Sequence, residues 1–343
     1  MAERPISDGA RDTRWGMHTI TRLAALREIG VLGALLVVIA LFALVTPHFF
    51  SAPNLLLITR QMAILAIIAT GETFVLASGE VDISVGWGFN LIMTAMAFSI
   101  TRFGLSPWAA IGVALATGII LGLVNGFVAV TFGLSTVIVT LATMTTYRGI
   151  AMILNNGRPI ILSHDSSFFL IGNGSIGGIP NMTLIMIPIV IAGAWVLKST
   201  GFATHLLAMG GNPAAANRLG LRTRRLRVSV MALCGLTCGL AGALGLSFLG
   251  AADPQNGGGM ELQAIAAAII GGAQLGGGSG TIWGTLIGVA LVMVIQDGLV
   301  LLGLPLSWQI ASPGLVIIGA VTLDYLTRAR RARAARDLLD RAV

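Results

Sequence analysis

The sequence predicts an all-α polytopic membrane protein with about ten transmembrane helices. Of its 343 residues, 55% are hydrophobic and 10% are charged, whereas a soluble domain carries about 25% charged residues. A helix needs roughly 20 apolar residues to cross ~30 Å of hydrocarbon. The eighth apolar run is short and Gly-rich, which predicts a broken or re-entrant crossing. The runs lie at 29–46, 55–77, 84–100, 107–131, 135–154, 182–197, 226–250, 262–275, 281–302 and 309–326.

The basic residues predict the orientation of these spans. Of 21 Lys and Arg residues, five lie in 1–28, six in 198–227 and six in 328–341. Basic residues close to a span end mark the cytoplasmic side, so both termini and the loop at 199–225 are predicted to be cytoplasmic. This arrangement needs six spans before that loop and four after it. The predicted organisation is a cytoplasmic tail at 1–28, a transmembrane domain at 29–326 and a basic cytoplasmic tail at 327–343.

The loops on the other side would lie outside the cytoplasm. The longest, at 155–181, is polar and Gly-rich, and 251–261 carries two further acidic residues. Long loops without their own secondary structure are often functional, so two interpretations stand: a solvated connection, or a docking surface for an extracytoplasmic partner. The candidate docking residues are Arg158, Asp165, Asp253 and Glu261.

Small residues recur at every fourth position in several spans. Glycines lie at 118, 122 and 126 in the fourth span, and at 280, 284 and 288 in the ninth. In lipid, such rows let helix backbones approach closely. They therefore predict tight packing between spans.

A short helix is predicted in the middle of the cytoplasmic loop. Asn212 is a good N-cap and Pro213 suits the first helical position, while Gly220 suits the left-handed position after a helix end. The segment 213–219 is then a helix of about two turns, too short to be stable alone in water. The sequence has no Gly-rich phosphate loop ending in Gly-Lys-Ser/Thr, so no ATPase site of its own is predicted, and the chain is not expected to be an enzyme.

These residues resemble a known family. The segment MGGNPAAANRLGL at 209–221 is similar to the cytoplasmic-loop signature of the permease subunits of ribose-type ABC importers, the second class of carbohydrate uptake transporters. SGEVDISVG at 78–86 resembles the family's Gly-Gly-Ile-Asp-Leu-Ser-Val-Gly segment. The stretches at 264–288, 296–309 and 319–326 resemble its C-terminal half. The resemblance covers roughly 30–326.

The resemblance implies the function and the partners. The chain would be a permease of the bacterial inner membrane that forms a homo- or heterodimer and works with two ATPase subunits. Those subunits would bind ATP and Mg, so no cofactor is expected in this chain. A periplasmic binding protein would deliver a monosaccharide or related polyol, and the helix near 213–219 would couple ATPase closure to pore opening. The expected coupling residues are Gly211, Asn212, Pro213, Ala215, Arg218 and Gly220.

Polar groups in or beside the apolar runs are candidates for the translocation pathway, because a carboxylate in the membrane is costly. Asp82 could instead cap the third span, and Glu80 could pair with Arg60 or Arg148. Glu80 stands where the family usually has Gly, and Asp297 where Asn is common. The candidates are Glu80, Asp82, Ser84, Asn125, Gln296 and Asp297.

Two other functions remain open at this point. A proton-coupled secondary sugar carrier would use Glu72, Glu80 or Asp297 as its relay, and a receptor without transport activity would need none of them. The four histidines are dispersed, and Cys234 and Cys238 are four residues apart within one span, so no metal site is predicted. The sequence does not specify which sugar would be carried.

Overall fold

The computed structural model describes residues 12–305, 307–319 and 322. Most of this chain is helical, and seven of its helices are long and apolar enough to cross a membrane. The helices are α1 (Asp12–Val45), α2 (Ala52–Ala77), α3 (Val85–Phe103), α4 (Pro107–Phe132), α5 (Thr136–Leu154), α6 (Phe169–Asn173), α7 (Asn181–Ser199), α8 (Gly201–Gly211), α9 (Pro213–Arg218), α10 (Thr223–Leu249), α11 (Met260–Ile270) and α12 (Ile282–Leu301). The strands have two residues each: β1 (Ile160–Ile161), β2 (Ser175–Ile176), β3 (Ile179–Pro180) and β4 (Ala251–Ala252).

The polytopic helical architecture is confirmed, whereas the count of ten spans stays a prediction. The seven candidates are α2, α4, α5, α7, α10, α12 and the 28–45 part of α1. The predicted third span corresponds to α3, which is long enough but more polar, and the eighth corresponds to α11, which has 11 residues. The tenth run extends beyond the described residues, and the whole of the tail 327–343 lies outside them. In the tail 1–28, residues 1–11 lie outside the described residues, and 12–27 are described by their backbone alone.

The glycine rows pack α4 against α10, as the sequence predicts. A methyl group added at Gly118 would meet the carbonyl oxygen of Gly235, and one added at Gly122 would meet that of Met231. Gly288 of α12 lies in the same way against Ala267 of α11. Glycine is therefore required at these points because the facing atoms belong to the backbone and cannot rotate away.

Three chain segments meet at one end of the bundle, which we call the α9 end. They are the end of α2 at 77–79, the end of α8 at Gly210 and the loop at 277–278. The backbone N–H of Gly278 donates to the carbonyl of Ala77, the last residue of α2, at 2.8 Å. A Cβ on Gly277 would lie 2.7 Å from the Cα atoms of both Gly79 and Gly210, and its φ of +77° also favours glycine. The base of the α8–α9 segment therefore rests directly on the end of α2.

The opposite end joins the two long loops. Strand β1 pairs with β4 in antiparallel register, with Ile160 opposite Ala252. The hydroxyl of Ser247 donates to the carbonyl of Phe168 at 2.8 Å and accepts from the N–H of Gly172 at 2.8 Å. The loop at 155–181 is thus tied to the end of α10, and it contains α6 and the β2–β3 pair.

Candidate functional site

The short helix α9 forms where its capping residues predict it. Asn212 Oδ1 accepts from the N–H of Ala215 at 3.0 Å, and Pro213 occupies the first helical position. After the last helical residue, Gly220 has a φ of +78°. Helix α9 ends one residue before the predicted 213–219. Sequence reasoning missed α8, an 11-residue helix that carries α9 away from α7.

Helix α9 displays nearly all of its surface. Between residues 211 and 220, Ala216 alone is buried, and the side chain of Leu219 is 80% exposed. A hydrogen bond of 2.6 Å from the Thr223 hydroxyl to Asn217 Oδ1 connects the helix to the start of α10. The predicted coupling residues therefore occupy one protruding turn of the chain: Gly211, Asn212, Pro213, Ala215, Arg218 and Gly220.

A cavity of about 630 Å³ separates α9 from the helix ends behind it. Gly79 and Glu80 after α2 and Ser135 before α5 line one side, and Asn217 and Arg224 line the other. The cavity leaves room between α9 and the bundle.

Glu80 forms an ion pair at the edge of this cavity. Arg227 Nε lies 2.6 Å from Glu80 Oε1, and the Thr136 hydroxyl donates to Glu80 Oε2 at 2.7 Å. Glu80 pairs with neither Arg60 nor Arg148, the two partners considered from the sequence. Arg60 donates to the carbonyl of Asn173, and Arg148 stacks on the Trp87 ring. In the sequence, Arg227 belongs to the basic cluster at 198–227 that predicts the topology. The sequence signal for this pair is that Arg227 and Glu80 carry opposite charges at the same end of the bundle.

Asp82 lies inside the bundle, because the chain turns back along α2 after Ala77. Its N–H donates to Glu72 Oε1 at 3.2 Å, and its own Oδ1 accepts from the N–H and the hydroxyl of Ser84 at 2.9 and 2.6 Å. The carboxylate thus accepts from a backbone N–H, as a helix cap does. However, this N–H belongs to Ser84, the residue just before α3, and not to α3 itself. This non-helical turn is shielded by protein, which is where a membrane protein tolerates irregular backbone.

Asn125 connects this turn to α5. Its Nδ2 donates to Ser84 Oγ at 2.8 Å, and its Oδ1 accepts from the hydroxyls of Thr143 and Tyr147 at 2.8 and 2.9 Å. Asn125 therefore makes interhelical hydrogen bonds. The residues Asp82, Ser84 and Asn125 are brought together, with Glu80 just before them.

The two remaining pathway candidates lie elsewhere. Asp297, near the end of α12, accepts from Asn54 Nδ2 at 2.8 Å, and Asn54 is near the start of α2. Gln296 precedes it and is half-buried. This pair lies toward the end of the bundle opposite α9, so the structure separates it from the Asp82 group.

The docking candidates differ in accessibility. Arg158 and Asp165 are exposed on the long loop. Asp253 is half-buried, and its Oδ1 accepts from the N–H of Gln255 at 2.8 Å. Glu261 is 8% exposed and lies against the first turn of α3, so it offers almost no surface to a partner in this conformation.

Among the described residues, no three His, Cys, Asp or Glu side chains cluster closely enough to hold a metal ion. Cys234 and Cys238 are both buried and free. The α9 end therefore combines an exposed short helix, a cavity and an ion pair.

Comparison with known proteins identifies the class. Residues 54–321 match the family model described as the permease component of the branched-chain amino acid transport system. The ribose import permease protein RbsC of Haemophilus influenzae is 38% identical over 85% of this chain and 91% of that protein. RbsC of Bacillus subtilis is 36% identical over 87% and 93%. The L-arabinose ABC transporter permease AraH of Azospirillum brasilense is 34% identical over 88% of each.

The chain therefore belongs to this family of transport-system permease components. The resemblance to ribose-type ABC permeases drawn from the sequence motifs is confirmed. With its seven candidate spans, the chain is a multi-pass protein of the bacterial inner membrane.

Proposed function

We propose that this chain is the transmembrane subunit of an ATP-driven importer that carries a monosaccharide or a related polyol. The observation that carries the proposal is α9, a capped and almost fully exposed helix whose base packs on the end of α2. The similarity to ribose and L-arabinose permeases supports a sugar of pentose size. ATP would be bound and hydrolysed with Mg by separate subunits.

The proposed coupling step uses the geometry of the α9 end. A six-residue helix held by one buried residue, Ala216, and by the Asn217–Thr223 bond can fit a cleft on an ATPase subunit. Movement of that subunit would push the α8–α9 base against Gly79 and Gly278. The Glu80–Arg227 pair would transmit the movement to α10, because it joins the segment 78–84 to that helix.

The opposite end would receive the sugar from a periplasmic binding protein. Arg158, Asp165 and Asp253 would contribute charged contacts there, and the β1–β4 pair gives the two loops a common platform. A second permease, identical or different, would complete the pathway.

A proton-coupled carrier is the second candidate, and one observation favours it. Glu72 and Asp82 are both buried, and their hydrogen bonds within the described chain come from neutral groups. Two buried carboxylates that meet at one turn of the chain are the groups that a proton relay would need. Against this candidate stands α9, which a self-contained carrier does not need.

Energy dependence separates the two proposals. Cells producing this chain with its partner subunits are expected to lose uptake of labelled D-ribose, L-arabinose or D-xylose when ATP is depleted. Uptake should persist in a protonophore as long as ATP is maintained. Uptake that resists ATP depletion and is abolished by the protonophore would instead establish the carrier.

A further inference from the structure

Three buried polar atoms beside α3 have no hydrogen-bond partner among the described residues. They are Asn90 Oδ1, Thr94 Oγ1 and Glu261 Oε2. Their side chains are 1%, 0% and 8% exposed, respectively. Leaving a buried polar atom unpaired costs about 1–3 kcal/mol, so three of them around one helix require an explanation.

The three atoms follow one face of α3. Gly86, Asn90 and Thr94 are four residues apart and therefore lie above one another, with about 6 Å between successive positions. The Glu261 carboxylate lies beside Gly86, the first of these positions, because a methyl group added at Gly86 would collide with Glu261 Oε2. The row thus extends from the first turn of α3 toward the end of the bundle opposite α9.

A cation stacks on the first turn of α3, where this row begins. The Arg148 guanidinium lies 4.5 Å from the centre of the Trp87 ring, and Trp87 belongs to the same first turn of α3. Arg148 is exposed although it lies within α5, a candidate membrane span. A charged side chain within such a helix marks a pathway for polar solutes, and the stacked indole provides it with a cation–π contact.

A glycine-rich loop covers the row. Asn90 Nδ2 donates to the carbonyl of Asp253 at 2.7 Å, and Gly257 packs against Gly86 with a φ of +104°. The loop connects α10 to α11 and precedes Glu261. The acceptors are therefore closed off in this conformation by a segment that belongs to the proposed receiving end.

The chemistry of these groups specifies the ligand. Unpaired carboxylate and amide oxygens accept hydrogen bonds, and a guanidinium donates them. Arg148 disfavours a cationic ligand and Glu261 an anionic one. A neutral molecule with several hydroxyl groups satisfies both, because each hydroxyl donates and accepts.

We propose that the α3 polar row, defined as Asn90, Thr94 and Glu261, together with Arg148 stacked on Trp87, is a transit site that binds the hydroxyl groups of a neutral monosaccharide. This inference rests on the proposed function and adds the residues that select the sugar. The row binds weakly and transiently, since each neutral hydrogen bond contributes only about 0.5–1.5 kcal/mol.

Thr94→Val tests the row because it removes an unpaired hydroxyl without changing the shape of the side chain. If the Thr94 hydroxyl served only the fold, its removal would lower the melting temperature. Removal of an unsatisfied hydroxyl instead leaves the melting temperature unchanged or higher. We expect uptake of labelled D-ribose, L-arabinose or D-xylose by the complete reconstituted transporter to fall about three- to tenfold. Thr70→Val is the matched control, because the Thr70 hydroxyl already bonds within its own helix at 2.7 Å.

Glu261→Gln tests the same row from the other side. It retains the size of the side chain and an acceptor for the N–H of Gly259, and we expect it to change the ratio of the three uptake rates at least threefold. Unchanged rates and ratios in both variants would overturn the inference and leave the proposed function standing. A lower melting temperature in Thr94→Val would also overturn it, by assigning the hydroxyl to folding. A parental transporter that carries none of the three sugars would instead overturn the proposed function.

Discussion

Gly122→Leu is expected to prevent accumulation of the folded protein. Gly122 of α4 faces the carbonyl oxygen of Met231 in α10, and even a methyl group there would overlap it. Overpacking usually costs about 1–3 kcal/mol, and a backbone neighbour that cannot rotate away places this change at the upper end or beyond. Separation of α4 and α10 would also disturb Asn125, which bridges to Ser84. The yield of monodisperse protein in detergent measures the effect.

Gly112→Leu is the matched control for this prediction. It lies in the same helix, but nothing lies within 4 Å of an added Cβ. We expect its yield and melting temperature to stay near those of the parental protein. Equal yields for the two leucine variants would show that the α4–α10 contact is looser than the structure has it.

Arg218→Glu and Gly220→Val are expected to uncouple ATP hydrolysis from uptake. Arg218 is exposed on α9, so reversing its charge changes the docking surface without disturbing the core. Gly220 has a φ of +78°, a conformation that costs a residue with a side chain about 1–2 kcal/mol. A β-branched residue there would displace the end of α9. We expect at least a tenfold loss of sugar uptake, with the ATPase subunits still active.

Gly201→Val controls for the glycine replacement. Gly201 has no atom within 4 Å of an added Cβ and no positive φ, so uptake should remain close to parental. Retained uptake in both Arg218→Glu and Gly220→Val would contradict the role of α9 in coupling.

The features that local patterns govern could be predicted from the sequence. Asn212, Pro213 and Gly220 defined α9 to within one residue, because capping depends on neighbours in the chain. The glycine row at 118–126 indicated a close contact, because a small residue is needed wherever backbones meet. The motifs at 78–86 and 209–221 identified the family, and the relatives confirm it.

The features that depend on distant residues could not be predicted. The partner of Glu80 is Arg227, 147 positions away along the chain, and no periodicity relates the two. The burial of Glu261 against Gly86 results from a loop that folds back onto α3, whereas its place in the sequence indicated an outer surface. Asp297 and Asp82 both lie near apolar runs, yet they occupy different parts of the bundle because their partners, Asn54 and Asn125, do.

Crosslinking from α9 tests the central claim most directly. Leu219 is 80% exposed, and the natural cysteines Cys234 and Cys238 are buried, so a Leu219→Cys variant has one accessible thiol among the described residues. A short thiol-to-amine crosslinker should join it to a co-purifying ATPase subunit, in a pattern that changes when nucleotide is added. Ile176→Cys, 67% exposed at the opposite end, should give no such product. A chain that purifies without any ATPase and still supports uptake, or an ATPase that crosslinks equally from both positions, would contradict the account.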